Sequence, residues 1–119
     1  MEDSKRAFDA VDKLYNWEAV RRFYKTYLPC DDGGIAEGVS DAITKLLANK
    51  WEDYWKLRSI GTFGPTFQEF VLRHIDATVP IETLQSISRN ARQRCPKGCT
   101  EVCKKIDAAT LSAIKESER

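Results

Sequence analysis

Apolar residues recur every three or four positions along this chain, and that spacing restricts the fold more than any other feature. The alternation with a period of two that a half-buried strand requires is missing. Stripes at helical spacing cover roughly residues 4–15, 17–28, 35–48, 51–60, 65–75, 80–95 and 99–116. The pattern therefore predicts an all-α fold of about seven short helices.

Turn-forming and capping residues separate these stripes. Asn16 is placed to cap the second helix, Pro65 suits the first turn of the fifth, and Thr78 is the expected cap of the sixth. Short connections imply antiparallel neighbours. Stacked helix pairs would form a HEAT-like α-solenoid, but no clean repeat is visible, so an irregular helical bundle is equally open.

Composition restricts the class of protein. The chain has 119 residues, is 42% hydrophobic and carries a net charge of +1, so we expect one folded domain over residues 1–119. No run approaches the ~18 apolar residues of a spanning helix, and we expect no membrane association. The charged N-terminal residues do not fit a signal peptide. We therefore expect a cytoplasmic protein whose thiols stay reduced.

Three cysteines at intervals of four residues, Cys95, Cys99 and Cys103, form the most reactive cluster in the sequence. On one helix they would share a stripe, where an i, i+4 disulfide is strained. The Pro96–Gly98 break relaxes that strain only for a bond between Cys95 and Cys99. We expect buried structural thiols at the contact between the last two helices.

A thiol or metal site is the alternative for these cysteines. Zinc needs four converging ligands, and the cluster supplies three, so His74 or Cys30 would have to be the fourth. No Cys-x2-Cys pair supports that site, and we expect no cofactor. His74 is the only histidine, and we expect a packed, hydrogen-bonded side chain there. A nucleophilic pair of His74 with Cys30 or Cys99 stays open.

A basic run near the C-terminus supports a second alternative. Arg89, Arg92, Arg94 and Lys97 could follow a phosphate backbone, and Lys104 and Lys105 extend the run. No DNA-binding motif or aromatic stacking pattern accompanies it. We therefore interpret the run as a solvated helix face and disfavour nucleic-acid binding.

Acidic and aromatic residues in the first half favour a protein partner. Asp31, Asp32, Glu37 and Asp41 form a predicted acidic patch, which could steer a basic partner. Trp51, Tyr54 and Trp55 lie on more than one side of their helix. We expect one or two of these rings to be exposed and to anchor a partner.

The segment from Phe67 to Pro96, which contains FVLRHIDAT and NARQRCP, resembles small bacterial α-helical proteins. Some proteins of that kind act as immunity or antitoxin partners of toxins. The resemblance implies an all-α, HEAT-like fold and a protein partner, and it carries no catalytic residues. We accordingly expect a non-enzymatic protein-binding module, of which an immunity protein is one form. The partner's identity and the oligomeric state do not follow from the sequence.

Overall fold

The computed structural model describes residues 9–27, 33–60 and 64–118. Within these ranges every regular element is helical, which confirms the all-α prediction. Residues 9–11 are helical and precede α1. The elements that follow are α1 (Trp17–Tyr27), α2 (Gly33–Asn49), α3 (Trp51–Lys56), a 3₁₀ helix (Leu57–Ile60), α4 (Pro65–Arg73), α5 (Ile81–Gln93) and α6 (Thr100–Ser117).

Local signals place two of the helix starts correctly. The Asn16 side chain accepts a hydrogen bond from the backbone N–H of Ala19 at 2.8 Å, so Asn16 caps α1. Pro65 occupies the first turn of α4, as predicted. The expected cap at Thr78 was wrong, because α5 begins only after Pro80. The Thr78 N–H instead donates to the Asp76 carboxylate at 3.0 Å, which forms a turn before the helix.

The last two helices form the most extensive packed pair. Cys95, after the end of α5, is joined to Cys103 in α6, and Ser88, seven residues earlier, bonds to Asp107 of α6. Partners whose numbers run in opposite directions belong to antiparallel helices. The turn between them contains Gly98 with a φ of +87°, a left-handed conformation that glycine adopts without strain.

The core draws on all six α-helices. One fully buried side chain from each illustrates this: Val20, Leu47, Tyr54, Phe70, Ile87 and Ile106. Aromatic contacts connect α1 to α3 and to α4, with ring centroids 4.7 Å apart for Trp17 and Tyr54 and 5.1 Å apart for Tyr24 and Phe67. The six α-helices range from 6 to 18 residues in length, and the architecture is that of an irregular bundle.

Candidate functional site

One exposed side of α2 carries the predicted acids that the structure describes. Glu37 and Asp41 are one helical turn apart, and both side chains are exposed. Asp41 pairs with Lys45 on the following turn, with Oδ2 and Nζ 3.0 Å apart. The other two predicted acids, Asp31 and Asp32, lie outside the described residues. The acidic patch is therefore established only at Glu37 and Asp41.

A groove of about 410 Å³ lies beside Asp41, between α2 and the segment that precedes α1. Its lining includes the apolar side chains of Val11, Leu14 and Leu46. Tyr15 also lines the groove, and this ring is 76% exposed. The groove thus combines an apolar lining with an exposed aromatic ring.

A glycine brings the two walls of this groove together. A Cβ built on Gly38 would lie 2.5 Å from Cγ1 of Val11, a distance that real Cβ atoms do not adopt. The segment before α1 therefore lies directly on the backbone of α2. Tyr15 and Asp12, which follow on the same segment, line the groove together with Asp41 of α2.

A second, smaller depression of about 230 Å³ adjoins the same acids. Glu37 and Asp41 line it together with residues 78–80, which precede α5. Asp41 therefore lies between two concave regions. We call the surface formed by Asp12, Tyr15, Glu37 and Asp41 the α2 face.

The predicted aromatic anchors are buried, although Trp55 lines the floor of a surface depression with Glu52 and Arg58. Trp51 is 2% exposed, Tyr54 1% and Trp55 5%, so the expectation that one or two of them face a partner was wrong. The reason is that neighbouring elements enclose α3. Trp17 of α1 packs against Tyr54, and the Trp51 indole donates to the Arg94 carbonyl after α5 at 2.9 Å.

Among the described residues, Tyr15 is an exposed aromatic side chain that the sequence pattern did not identify. Its spacing places it beside Leu14 on the apolar stripe of the first segment, and only Leu14 is buried. Its position between two helices is the signal that could have identified it. Tyr15 directly precedes the cap Asn16, where one helix has ended and the next has not begun, so the helical period does not extend to it.

The cysteine cluster does not form the metal site considered from sequence. Cys95 and Cys103 are joined by a disulfide with their Cα atoms 6.1 Å apart, and Cys99 is free and buried. The expectation of three reduced thiols was therefore wrong for two of them. The bond between Cys95 and Cys103 forms because the turn folds α6 back onto α5. Within the described residues, no group of three His, Cys, Asp or Glu side chains could hold a metal ion.

Cys99 lies at the start of α6 and contacts the 3₁₀ helix that follows α3. The Arg58 guanidinium donates to its sulfur, with Nη1 and Sγ 2.8 Å apart. Burial raises the pKa of the Tyr54 hydroxyl far above its usual range, and the charge of the nearby Cys99 sulfur adds to the rise. The predicted contact between the last two helices is confirmed at Cys99 and Cys103, which are both buried.

His74 belongs to a buried polar cluster, which confirms a packed, hydrogen-bonded side chain. Its Nδ1 lies 2.7 Å from Ser40 Oγ, and that hydroxyl donates to the Asp76 carboxylate at 3.0 Å. Since Ser40 has one proton, Nδ1 must be the donor in the other bond. A catalytic triad needs the reverse arrangement, in which the histidine accepts the serine proton. The cluster joins α2 to the segment after α4. Cys99 contacts Arg58, and Cys30, the other predicted partner of His74, lies outside the described residues.

Much of the predicted basic run is paired with acids. Arg92 contacts Asp107 at 3.0 Å, and Arg94 lies 3.5 Å from Glu52. Lys104 adds a longer pair with Glu101 at 3.8 Å. Arg89 and Lys97 are exposed. Two of the three predicted arginines therefore interact within the protein, which weakens the case for a phosphate-binding surface.

No helix in the described part of the chain combines the length and apolar character needed to cross a bilayer. Comparison of the chain with protein-family models, with curated proteins and with solved structures found no match.

Proposed function

We propose that this protein is a non-enzymatic protein-binding module that binds a basic partner through the α2 face. The observation that supports this proposal is the exposed Tyr15 ring on a groove flanked by carboxylates. Tyrosine is enriched among the residues that dominate binding energy, because its ring offers a large contact area and a polar end. A single such ring beside an apolar groove is a suitable centre for a small interface.

Charge supports a basic partner. Asp12, Glu37 and Asp41 give the α2 face three carboxylates, although the whole chain has a net charge of +1. Among the described residues, Lys45 pairs with Asp41 and Arg73 lines a depression beside Glu37, so two cations border this face. Acidic groups around an interface raise the association rate with a basic partner and exclude acidic ones. An immunity-type inhibitor is the specific form that we favour, in which the α2 face covers a basic cleft of a toxin.

The test is affinity purification from cells that naturally make the protein, followed by cross-linking to locate the contact. We expect Tyr15→Ala and Asp41→Lys to release the partner captured by the wild type. Leu111→Ala is the matched control, because Leu111 is an exposed apolar residue (43%) on α6, outside the α2 face. Retention of the partner by both α2-face variants, or equal loss from the control, would contradict the proposal.

The salt dependence of binding provides a second readout. Exposed charges are screened over about 8–10 Å at physiological ionic strength. The association rate of the purified partner should therefore fall as salt rises, and Asp41→Lys should reduce that dependence. A partner whose cross-links reach residues 89–97 instead of the α2 face would assign binding to the basic run.

A further inference from the structure

Within nine residues near the C-terminus, three cysteines form one disulfide and leave one free thiol. Cys95 and Cys103 share the disulfide, and Cys99 lies midway between them in sequence. Cys99 is the N-cap of α6, so Cys103 follows it by one helical turn. The turn through Pro96 and Gly98 brings Cys95 to the same end of the helix. The free thiol and the disulfide thus belong to the same turn between α5 and α6.

Arg58 holds the free sulfur in an environment suited to a nucleophile. Its guanidinium donates to Cys99 Sγ at 2.8 Å, while its Nε donates to the Trp55 carbonyl at 3.1 Å. The guanidinium also lies over the Trp55 ring, 5.9 Å from the centroid. Two further contacts therefore fix the position of the charge. A cationic side chain and a helix N-terminus are two surroundings that reactive cysteines share, and Cys99 has both.

We propose that Cys95, Cys99 and Cys103 form a thiol–disulfide exchange site in which Arg58 positions Cys99 as the attacking group. The Cys99 thiolate attacks Sγ of Cys95, and a bond between Cys95 and Cys99 forms as the bond to Cys103 breaks. The electron pair of the broken bond leaves on Cys103 Sγ, which takes up the proton that Cys99 released. No oxidant or reductant is consumed, and burial of Cys99 is no obstacle because attacker and target belong to one cluster.

The exchange changes which parts of the fold are covalently joined. The observed bond connects Cys95, after the end of α5, to the first turn of α6, whereas the exchanged bond would close only the turn between the helices. Cys103 would then be a free thiol in the contact between α5 and α6. The cysteine site shares no residue with the α2 face. A test of the exchange therefore has an outcome that does not depend on the proposed function.

The sequence allows both isomers to be measured directly. Cleavage after arginine, lysine and glutamate places the three cysteines on separate peptides, Cys95–Lys97, Gly98–Glu101 and Val102–Lys104. The protein is held in native buffer between pH 6 and 9, quenched in acid, treated with a maleimide in denaturant and digested. Mass spectrometry then quantifies the cross-linked peptide pairs. We expect the Cys95–Cys99 pair to appear beside the Cys95–Cys103 pair, at a rate that rises with pH.

Variants separate positioning by Arg58 from simple structural support. Removal of one charge-assisted hydrogen bond should slow exchange by about tenfold in Arg58→Gln, and Arg58→Lys should restore much of the rate because it keeps the charge. Arg94→Gln is the matched control, since Arg94 pairs with Glu52 rather than with sulfur. Helical content and unfolding midpoint are measured in parallel, so that only variants that fold are compared.

A second variant tests the alternative bond alone. In Cys103→Ser, oxidised glutathione should drive formation of the Cys95–Cys99 bond in the folded protein. The proposal is overturned if the wild type holds only the Cys95–Cys103 bond at every pH, if Arg58→Gln exchanges as fast as the wild type, or if Cys103→Ser yields only mixed disulfides with glutathione.

Discussion

Buried side-chain donors satisfy backbone carbonyls at the ends of two helices. The Trp17 indole donates to the carbonyl of Lys50 at 3.0 Å, and the Trp51 indole donates to that of Arg94 at 2.9 Å. Asn90 donates to the carbonyls of both Leu47 and Ala48 at 3.0 and 3.1 Å. The last four carbonyls of a helix have no partner within it, and a buried one left without a partner is destabilising. These three side chains therefore supply donors to carbonyls at or just after the ends of α2 and α5.

The residue that shows this effect best is Asn90. Asn90→Ala removes both hydrogen bonds to the end of α2, and we expect the free energy of unfolding to fall by about 1–3 kcal/mol. The control is Asn49→Ala, at an exposed position of the same helix end, which should change it by less than about 0.5 kcal/mol. Urea denaturation measures both values. Equal losses of unfolding free energy in the two variants would show that the hydrogen bonds of Asn90 do not stabilise the fold.

Tyr54 gives a prediction on pH. Burial, and then the charge of Cys99, raise its pKa above the usual value of about 10. Below pH 10 the Tyr54 hydroxyl keeps its proton in both the folded and the unfolded protein, so its titration does not change the free energy of unfolding there. Above pH 10 the unfolded chain loses this proton while the folded protein keeps it, so the free energy of unfolding falls as pH rises, by up to about 1.4 kcal/mol per pH unit.

Tyr54→Phe removes that proton, so the decline in stability above pH 10 should become shallower. Tyr15→Phe changes an exposed ring and should leave the wild-type slope unchanged. Denaturant titrations at several pH values between 9 and 11 measure the slopes. A Tyr54→Phe slope equal to that of the wild type would contradict the assignment.

The roles of some of these residues could be predicted from their sequence neighbours, whereas the burial of others could not. Asn16 and Pro65 act within their own helix turn, so their roles follow from neighbouring residues alone. The burial of Trp51, Tyr54 and Trp55 depends on elements from distant parts of the chain. No residue beside them in sequence indicates that α1 and the end of α5 would enclose their rings.

At the scale of the helices, the pair α5 and α6 is joined by three kinds of interaction. The disulfide closes one end, and further along Asp107 accepts from Ser88 at 2.6 Å and from Arg92 at 3.0 Å. The break that separates the helices was predicted from Pro96 and Gly98. The identity of the bonded cysteines was not, because it depends on how closely the turn returns the chain.

Loss of the disulfide should destabilise this pair measurably. The bonded residues are 8 apart, and loop-closure entropy for such a separation is worth roughly 2–3 kcal/mol. We expect a reductant to lower the free energy of unfolding of the wild type by about that amount. The Cys95→Ala/Cys103→Ala variant is the control, and the same reductant should leave it unchanged. An unaltered wild type would show that the bond adds no stability.

At the scale of the whole molecule, the described residues share one continuous core, to which all six α-helices contribute buried side chains. The helical period predicted the fold class, since it reports which side of each helix is buried. It could not separate a solenoid from a bundle, because the order in which helices pack is a property of long-range contacts. The α2 face likewise depends on the fit of residues 11–15 against Gly38, which no local pattern encodes.

One core predicts one unfolding transition. Domains of this size usually unfold without a populated intermediate, and we expect the same here with the disulfide intact. Scanning calorimetry should give a measured enthalpy equal to the van't Hoff enthalpy. A measured enthalpy well above the van't Hoff value, or two resolved peaks, would instead indicate that part of the chain folds independently.

The hydrogen bond from the Trp51 indole to the Arg94 carbonyl has an optical consequence. All three tryptophans are buried, so their fluorescence should be emitted at the short wavelengths typical of apolar surroundings. Trp51 alone is bonded to the residue that directly precedes Cys95. Its emission should therefore respond when the bond at Cys95 opens or moves, which makes this indole a built-in reporter of the sulfur chemistry beside it.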